Sequence, residues 1–377
     1  MKIACTQENL IQGLSMVSHV TAKNVSLPVL GNVLLKTVNG SLLLSATNLE
    51  VAVSCVVRGK VEVEGEYSVP AKLLQDYVSL LPSGKVDLEL KEEGLEVRSN
   101  DQETVIRGMA ASEFPLLPKL AKGEGYRMPA EELKKAIGQV AFAASTSEAR
   151  PELTGVSCAF GGAEGGFAVT FAATDSYRLA ERRVMLPAAG KESRCIVPTR
   201  SLLEVARILS SYKDEIGGAD EALWSTTESQ LVVTFGSVEL VTRLIEGNFP
   251  PYNEIIPKVF KTEGLLPRTE LQKAVRAASL FSRQGMFDVH LTLDAEKGSL
   301  EVKSADQGTG KTRSTVQGGV TGEGNTVTLN FRYLNDGLAA MASDKVKLQV
   351  IDGNNPCLVL PEDEKEGYRY LVMPIRQ

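Results

Sequence analysis

The segment AVTFAATDSYRLAER, Ala168–Arg182, decides the fold because the chain contains its pattern three times. Apolar and polar residues alternate on both sides of a polar centre, which predicts two strands joined by a turn. The same pattern recurs in LLLSATNLEVAV from Leu42 and in LEVKSADQGTGKTRSTV from Leu300. Successive copies lie roughly a third of the 377-residue chain apart, so the sequence predicts three repeated units.

Three other kinds of segment accompany this pattern, in the same order in each copy. They are an amphipathic helix before it, a strand that runs into a second helix after it, and a closing segment such as YLVMPIRQ. Agreement in order, type and spacing makes coincidence improbable. The first helices start at Gln7, Ala130 and Arg268, the strand–helix segments at Tyr67, Cys195 and Val327, and the closing segments at Ser112, Gly247 and Tyr370.

Each unit is predicted to be α+β, with antiparallel sheet and two helices on one face of it. Domain boundaries are expected near Lys119–Gly125 and Pro250–Pro257, and neither stretch is a long low-complexity linker. The predicted domains are therefore residues 1–121, 122–250 and 251–377, packed end to end.

Composition and charge limit the functional classes. Apolar residues make up 43% of the chain and charged residues 23%, an ordinary mixture for a soluble globular protein. No apolar run is long enough to span a bilayer, and the start MKIACTQENL turns polar too early for a signal peptide. A cytoplasmic protein without a membrane partner is expected. The net charge of −6 argues against binding nucleic acid over the whole surface, but it allows a local basic strip.

Residues for metal binding and catalysis are few. The five cysteines lie far apart without a C-x-x-C motif and are predicted to be reduced core thiols. The two histidines, His19 and His290, share no ligand spacing with a cysteine or an acidic cluster, so no metal site is predicted. There is no G-x-S-x-G motif, and paired acids such as Glu92-Glu93 fall in polar turns. No catalytic residue and no cofactor are predicted.

One stretch raises a different function. ADQGTGKT, Ala305–Thr312, differs from the nucleotide-binding motif G-x-x-x-x-G-K-[ST] only because Ala305 stands at the first glycine. A working loop of that kind opens a helix, whose N-terminal N–H groups hold phosphate. Here RSTVQGGV follows, with β-branched alternation, so the repeat predicts a hairpin turn with Lys311 facing solvent. An ATP-using enzyme is the alternative that this stretch leaves open.

Basic residues lie beside the apolar stripes of the predicted helices. On any single helix, a solvated face explains such charges. If three units pack in an arc with their helices on the concave side, the charges share one surface, which suits the phosphates of a duplex without reading its sequence. The residues predicted to face DNA are Lys23, Lys72, Lys134, Lys135, Arg150, Arg200, Arg207, Lys273 and Arg276.

Four motifs and the three-unit plan resemble the bacterial sliding clamp family, the beta subunit of the replicative DNA polymerase, over the whole chain. The motifs are SLPVLGNVLL from Ser26, TDSYRLA from Thr174, FPPY from Phe249 and the C-terminal YLVMPIRQ. The resemblance implies three DNA-clamp domains per chain and a head-to-tail homodimeric ring, with helices lining the hole and sheets outside. It also implies a non-catalytic processivity factor that slides on double-stranded DNA without sequence preference. Its partners would be the DNA polymerase catalytic subunit, the clamp loader and repair proteins.

The resemblance implies a hydrophobic cleft for partner peptides between the second and third repeats. Without the family, Val372, Met373 and Ile375 would be interpreted as a buried terminal strand. One wall would contain Leu153, Thr174, Tyr177, Arg178, Leu179, Pro250 and Ile255, and the other Asn330, Tyr333, Cys357, Val372, Met373, Pro374, Ile375 and Arg376. The implied dimer contact includes Thr104, Ile106 and Leu280.

The chain departs from the family's pattern at four positions. Ser176-Tyr177 replaces the usual Gly-His pair, and Glu254 stands where a basic residue often follows the FPPY tyrosine. Both lie beside the predicted cleft, so peptide preference is expected to differ. The arginine expected before SLP is Asn24, beside Lys23, which affects individual DNA contacts. A repeat scaffold that binds protein or glycan, without a role on DNA, is a further alternative.

Overall fold

The computed structural model describes residues 1–21, 27–117, 125–212, 220–283 and 285–376. Lys23 and Asn24, and the predicted boundary at 119–124, lie outside the described residues. The chain divides into two compact units. The first unit contains Met1–Lys134 with Leu203–Leu244, and the second contains Lys135–Leu202 with Ile245–Gln377.

The described residues contain six α-helices, each where the sequence predicts one. Prolines mark several of the points at which a strand becomes a helix, and Pro70 and Pro267 are the N-cap residues of the second and fifth helices. Proline is tolerated at that place because the first N–H groups of a helix have no acceptor within the helix, so none is lost. The helices are α1 (Gln7–Val17), α2 (Ala71–Leu80), α3 (Ala130–Val140), α4 (Thr199–Ser211), α5 (Arg268–Ser279) and α6 (Phe331–Ala340).

The first unit contains two antiparallel sheets. The five-stranded sheet has the order β5 (Gly59–Val63), β1 (Lys2–Thr6), β7 (Lys85–Lys91), β8 (Gly94–Ser99) and β9 (Gln102–Ile106). The eight-stranded sheet has the order β10 (Tyr126–Pro129), β15 (Glu221–Thr226), β16 (Gln230–Phe235), β17 (Val238–Arg243), β4 (Val51–Val57), β3 (Ser41–Thr47), β2 (Asn32–Val38) and β6 (Glu66–Pro70).

The second unit also contains two antiparallel sheets. The nine-stranded sheet has the order β14 (Ser193–Pro198), β11 (Gly155–Ala163), β12 (Gly166–Thr174), β13 (Arg178–Met185), β26 (Tyr368–Val372), β25 (Cys357–Pro361), β24 (Lys345–Val350), β18 (Thr262–Pro267) and β22 (Gly319–Gly322). The four-stranded sheet has the order β21 (Gly310–Gln317), β20 (Ser299–Asp306), β19 (Asp288–Asp294) and β23 (Asn325–Asn330).

The apolar stripes of the helices are buried against these sheets. In the first unit α1 packs on α2, β3 and β4, and in the second α5 packs on α6, β20 and β21. Burial of such stripes is the main stabilising contribution, since short helices are marginal alone. The predicted α+β class is therefore confirmed. The buried stripe of α1 is Leu10, Leu14, Met16 and Val17, and that of α5 is Leu271, Ala274, Val275 and Ala278.

Two strand pairs join successive repeats. Strand β4, the second strand of the first hairpin, pairs with β17, the last strand of the second repeat. Strand β13, the second strand of the second hairpin, pairs in the same way with β26, the last strand of the third repeat. Among the strands that the structure describes, the equivalent ones without such a partner are β21 and β9, and each lies at the edge of its sheet.

Candidate functional site

The turn at the centre of the opening segment is held by side-chain hydrogen bonds to the backbone. The Thr174 hydroxyl accepts from Ser176 N at 3.1 Å and donates to Arg178 O at 2.6 Å. Asp175 Oδ1 accepts from Tyr177 N at 2.9 Å and from Arg178 N at 3.0 Å. Short polar side chains of this kind replace ladder hydrogen bonds where a strand reverses. The turn therefore fixes where β13 begins.

The first repeat contains the same turn. The Thr47 hydroxyl accepts from Leu49 N at 3.0 Å and donates to Val51 O at 2.9 Å. Asn48 Oδ1 accepts from Glu50 N at 3.0 Å and from Val51 N at 2.8 Å. The same four hydrogen bonds at the same spacing establish that the two hairpins are copies.

The third copy settles how ADQGTGKT folds. Ala305 lacks the hydroxyl, but Asp306 Oδ1 still accepts from Gly308 N at 2.9 Å and from Thr309 N at 3.1 Å. Gly310 has a φ of +111°, a conformation that glycine adopts without strain, and β21 follows at once. The predicted hairpin is therefore confirmed. No helix begins after the turn, so the phosphate-binding geometry behind the ATP alternative is missing.

Arg178 connects three segments of the predicted cleft. Its Nε donates to Asp175 Oδ2 at 2.9 Å, and its two terminal nitrogens donate to Asp336 Oδ2 at 2.6 Å and to Phe142 O at 2.7 Å. The guanidinium also lies 4.6 Å from the centre of the Tyr333 ring, within the range of a cation–π contact. A buried charge is stable only with such partners, so Arg178 positions this wall instead of offering a free charge.

Helix α6 packs directly against Tyr370 of β26. The Tyr370 hydroxyl donates to Tyr333 O at 2.8 Å, and burial raises the pKa of Tyr370 far above its ordinary range. A Cβ added at Gly337 would overlap the Tyr370 ring, with the ring Cγ at 2.9 Å and two other ring carbons closer. Glycine at this position therefore permits the contact that places Tyr333 beside Arg178.

The C-terminal segment continues past β26 as the opposite wall. Met373 N donates to Tyr177 O, and Ile375 N donates to Thr328 O in β23, both at 2.8 Å. Met373 and Ile375 are half-buried, as is the proline between them, and Arg376 is exposed. The segment is therefore fixed by its backbone at two points while its side chains stay accessible, unlike the buried terminal strand that the sequence alone favours.

An apolar cluster forms the floor between these walls. Leu179, Leu358 and Leu371 are buried together on one face of the nine-stranded sheet, with Met373 packed against them. Leu371 was missed in the sequence prediction, although the two-residue period of a strand places it on the same face as Met373. Around the cluster pack Tyr252, Ile256, Phe260 and Leu360, and Leu153 belongs to a neighbouring cluster that also contacts Tyr252.

Burial separates the predicted cleft residues into two groups. Tyr177 is 64% exposed and Ile255 is 49% exposed, so both can contact a ligand. Cys357 and Val372 pair with each other across β25 and β26 and are both 0% exposed. They face the opposite side of the sheet from Leu371, because alternate strand residues point to opposite faces. The structure thus assigns these two to the core, which corrects their predicted place on the cleft surface.

The other predicted cleft residues lie around the floor. Thr174 is buried within its turn, and Pro250 and Asn330 are half-buried. Asn330 has a structural function as the N-cap of α6, where its side chain accepts from Arg332 N at 2.9 Å. Glu254, one of the departures from the family's pattern, is exposed.

Four of the predicted DNA-facing residues are exposed and have no ion pair with another described residue. They lie on helices, where their charges are available to an external anion. Three others form ion pairs with acidic residues, which offset their attraction for phosphate: Lys134 pairs with Glu131, Lys135 with Glu366 and Arg150 with Glu152. The four residues without a partner are Lys72, Arg200, Lys273 and Arg276.

Arg207 is used inside the protein. It donates to Ser15 O at 3.1 Å and Met16 O at 2.7 Å, near the end of α1, and pairs with Glu204 at 2.7 Å. The second oxygen of Glu204 lies 2.7 Å from His19 Nδ1. A cation near the carbonyl end of a helix satisfies acceptors that the helix itself leaves open. Its predicted contact with DNA therefore competes with these internal partners.

The predicted dimer residues lie in two separate parts of the chain. Thr104 and Ile106 belong to the edge strand β9, with Ile106 buried and Thr104 half-buried. Leu280 follows α5 and is 74% exposed. The described residues contain no cluster of three potential metal ligands, and none of their helices is both long and apolar enough to cross a membrane.

Comparison with known proteins gives one consistent family. Family models of the DNA polymerase III beta subunit match residues 1–118 (N-terminal domain), 127–251 (central domain) and 253–376 (C-terminal domain). The beta sliding clamp of Synechocystis sp. is 30% identical over 397 aligned residues, covering 100% of this chain and 99% of that protein. That of Synechococcus elongatus is 31% identical over 386, with the same coverage. The DNA polymerase sliding clamp of Bacillus subtilis superimposes with a TM-score of 0.92 at 25% identity, covering 100% of this chain and 99% of that one.

Proposed function

Because the chain belongs to the beta sliding clamp family, we propose that two copies close head to tail into a ring around duplex DNA. The resemblance inferred from the motifs is confirmed by the family matches. The chain is thus a sliding clamp of DNA polymerase III, a non-catalytic subunit. The proposal concerns the DNA that the ring encloses, the contact that closes it and the proteins that it tethers. It also includes the domains, residues 1–121, 122–250 and 251–377, and a cytoplasmic location.

The observation that best supports ring closure is that β21 and β9 are both edge strands. Two junctions inside the chain already join the second strand of a hairpin to the last strand of the next repeat. The third junction lacks its partner, because β21 and β9 are edge strands. An exposed edge is a template for strand pairing. A second copy supplies β9 to β21 and receives the reverse contact, and a half-turn per chain closes this head-to-tail contact.

The internal junction predicts the register of the contact between chains. Ile106 lies opposite Leu95 in the β8–β9 hairpin, as Val372 lies opposite Cys357 in β25–β26. Positions 106 and 372 are therefore equivalent. Position 372 pairs with Arg178, which directly precedes Leu179, the residue opposite Thr174 in the hairpin.

The third hairpin is one residue longer, because Ala305 lies opposite Lys311 whereas its equivalent Thr174 lies opposite Leu179, so Gly310 is the equivalent of Arg178. Ile106 should therefore lie opposite Gly310 of the partner subunit. Counting along antiparallel strands, Val105 then lies opposite Lys311 of the partner subunit. The lysine of ADQGTGKT becomes an interface residue in this proposal, instead of a phosphate ligand.

Cysteine pairs test the dimer and its register together. Under mild oxidation, the variant with Val105→Cys and Lys311→Cys should form a covalent dimer, because opposite positions bring Cβ atoms within disulfide range. The control with Thr104→Cys and Lys311→Cys places one thiol on the other face and should not cross-link. Equal cross-linking of both variants, or a monomer in native mass analysis before oxidation, contradicts the proposal.

The exposed basic residues support attachment to DNA. Lys72, Arg200, Lys273 and Arg276 lack acidic partners in the described part of the chain, so each can attract phosphate. A ring stays on DNA by enclosing it, and weak, diffuse attraction permits sliding. After loading by the clamp loader, the protein should remain on nicked circular DNA and leave when the circle is cut. Equal loss from circular and linear DNA would exclude encirclement.

The cleft supports tethering of polymerase and repair proteins. Leu179, Leu371 and Met373 form an apolar floor, and Tyr177 and Ile255 are exposed beside it. Methionine adapts its shape to different apolar partners, which suits a site shared by several peptides. A polymerase-derived peptide should bind, and Met373→Ala should weaken it, with Lys297→Gln on a distant turn as control. Unchanged affinity in Met373→Ala would argue against this cleft.

A further inference from the structure

A groove of about 490 Å³ continues the cleft along the nine-stranded sheet. Leu358 and Leu360 line it from β25, and Ile256 and Phe260 line it from the segment before β18. Ile256 and Phe260 also pack against the cluster that contains Leu179. The groove and the apolar floor of the cleft are therefore one continuous surface, of a volume typical of ligand sites.

Strand pairing gives the distance between the two parts. Leu179 lies opposite Leu371, and Glu181 lies opposite Arg369 one step further along the same face. Arg183 is the next residue of β13 on that face and lines the groove. Alternate residues of a strand are about 6.7 Å apart, so Arg183 lies about 13 Å from Leu179. Four residues of an extended peptide span this distance.

The acidic side chains of the groove already have partners. The Tyr252 hydroxyl donates to Glu181 Oε2 at 2.8 Å, and Arg369 Nε lies 3.8 Å from Glu181 Oε1. Burial and the adjacent Glu181 carboxylate raise the pKa of Tyr252 far above its ordinary range, so this hydroxyl remains a donor. Glu364 accepts from Lys347 at 2.7 Å. Neither carboxylate therefore neutralises another cation of the groove.

Two cations of the groove are free. Arg183 and Lys258 are exposed, and neither has an ion pair with another residue that the structure describes. A ligand that enters from the cleft meets apolar side chains first and these two charges afterwards. The matching ligand is an extended peptide with an apolar anchor and an acidic side chain about four residues away.

We propose that this groove is a second subsite for partner peptides, in which Arg183 and Lys258 select an acidic residue beside the apolar anchor. The proposal rests on the peptide cleft of the proposed function and adds a charge preference to it. Exposed ion pairs contribute little each, so a two- to fivefold preference in affinity is expected. Such a preference would rank partners that share the same apolar anchor.

The test uses a polymerase-derived peptide with four-residue extensions at either end. Each extension terminates in Glu-Glu or, in the matched peptide, in Gln-Gln, and affinities are measured by fluorescence anisotropy at low salt. For one direction of extension, the Glu-Glu peptide should bind two- to fivefold tighter than the Gln-Gln peptide. The difference should vanish at high salt, because exposed pairs are screened.

Two protein variants separate this subsite from the cleft. Arg183→Gln with Lys258→Gln should remove the preference and leave binding of the unextended peptide unchanged. Lys85→Gln with Lys297→Gln, two exposed lysines outside the groove, loses the same charge and should keep the preference. Equal binding of both extended peptides, or a preference that survives in Arg183→Gln with Lys258→Gln, overturns the subsite. If no peptide binds at all, the cleft itself is refuted, and the subsite with it.

Discussion

Replacing Gly337 with alanine should weaken the packing of α6 on β26. Alanine favours a helix over glycine by about 1 kcal/mol, so propensity alone predicts stabilisation. The new Cβ would meet the Tyr370 ring, however, with its Cγ at 2.9 Å and two ring carbons closer, whereas carbons pack about 3.5–4.0 Å apart. The ring cannot move freely, because Tyr370 is fully buried and its hydroxyl is bound to Tyr333 O.

Overpacking of this kind costs about 1–3 kcal/mol or more, so we expect a net destabilisation of about 2 kcal/mol. Gly138 in α3 is the matched control, because a Cβ there meets no atom within 4 Å. Gly138→Ala should stabilise the protein by about 0.5–1 kcal/mol. The two substitutions are chemically identical and should therefore have opposite signs.

Hydrogen–deuterium exchange of peptides from α6 and β26 measures this effect locally, which suits a chain with two compact units. Exchange should rise in Gly337→Ala and fall or stay level in α3 of Gly138→Ala. Adding Tyr370→Leu should partly rescue Gly337→Ala, whereas Tyr370→Phe, which keeps the ring, should not. Equal effects of both alanines, or rescue by phenylalanine, would refute the overlap as the cause.

Four further substitutions test two of the turns, the Arg178 wall and an ion pair of the third repeat. Ser176→Gly and Leu49→Gly should each stabilise by about 0.5–1 kcal/mol in thermal unfolding, since both residues have a φ of +77°; a loss in either contradicts this. Arg178→Met should destabilise by about 3 kcal/mol, and an unchanged melting temperature would contradict the connecting function of that side chain. Burial opposes ionisation of Asp288, but its ion pair with Arg283 holds the pKa of Asp288 below the ordinary 3.8. The stabilisation by this ion pair is therefore fully present above pH 3.8 and is lost as the pH falls through the lowered pKa. Arg283→Gln should therefore raise the pH midpoint of acid unfolding, which circular dichroism measures.

The sequence predicted the repeated turn because that turn is held by local groups. Thr174 and Asp175 bond to backbone atoms at most four residues away, so their pattern is visible in a short segment. The same locality explains why ADQGTGKT was correctly predicted to be a hairpin. An Asx residue followed by glycine and a β-branched run requires no distant contact to form one.

Long-range packing was less visible in the sequence. Arg207 was predicted to face DNA from its place beside an apolar stripe, but Ser15 and Met16 supply carbonyls that are remote in sequence. Leu358 was missed as part of the cleft floor because its neighbours Leu179 and Leu371 come from different repeats. Periodicity indicates which face a residue occupies, but not which segment covers that face.

The three copies of the turn differ in whether another strand pairs with the strand that follows the turn. In the first and second repeats the strand after the turn is covered, by β17 and by β26. In the second repeat, the covering strand continues into Met373 and Ile375, and the turn residue Tyr177 holds that extension through its carbonyl. The second turn thereby becomes one wall of a cleft.

In the third repeat none of the described strands covers the strand after the turn, since β21 is an edge. An uncovered strand of this length invites uncontrolled association unless a specific partner covers it. The first repeat ends in β9, an edge that is equivalent to the two covering strands. The chain therefore carries both halves of a third junction, β9 and β21, which are not paired with each other in one copy and which two copies can pair twice.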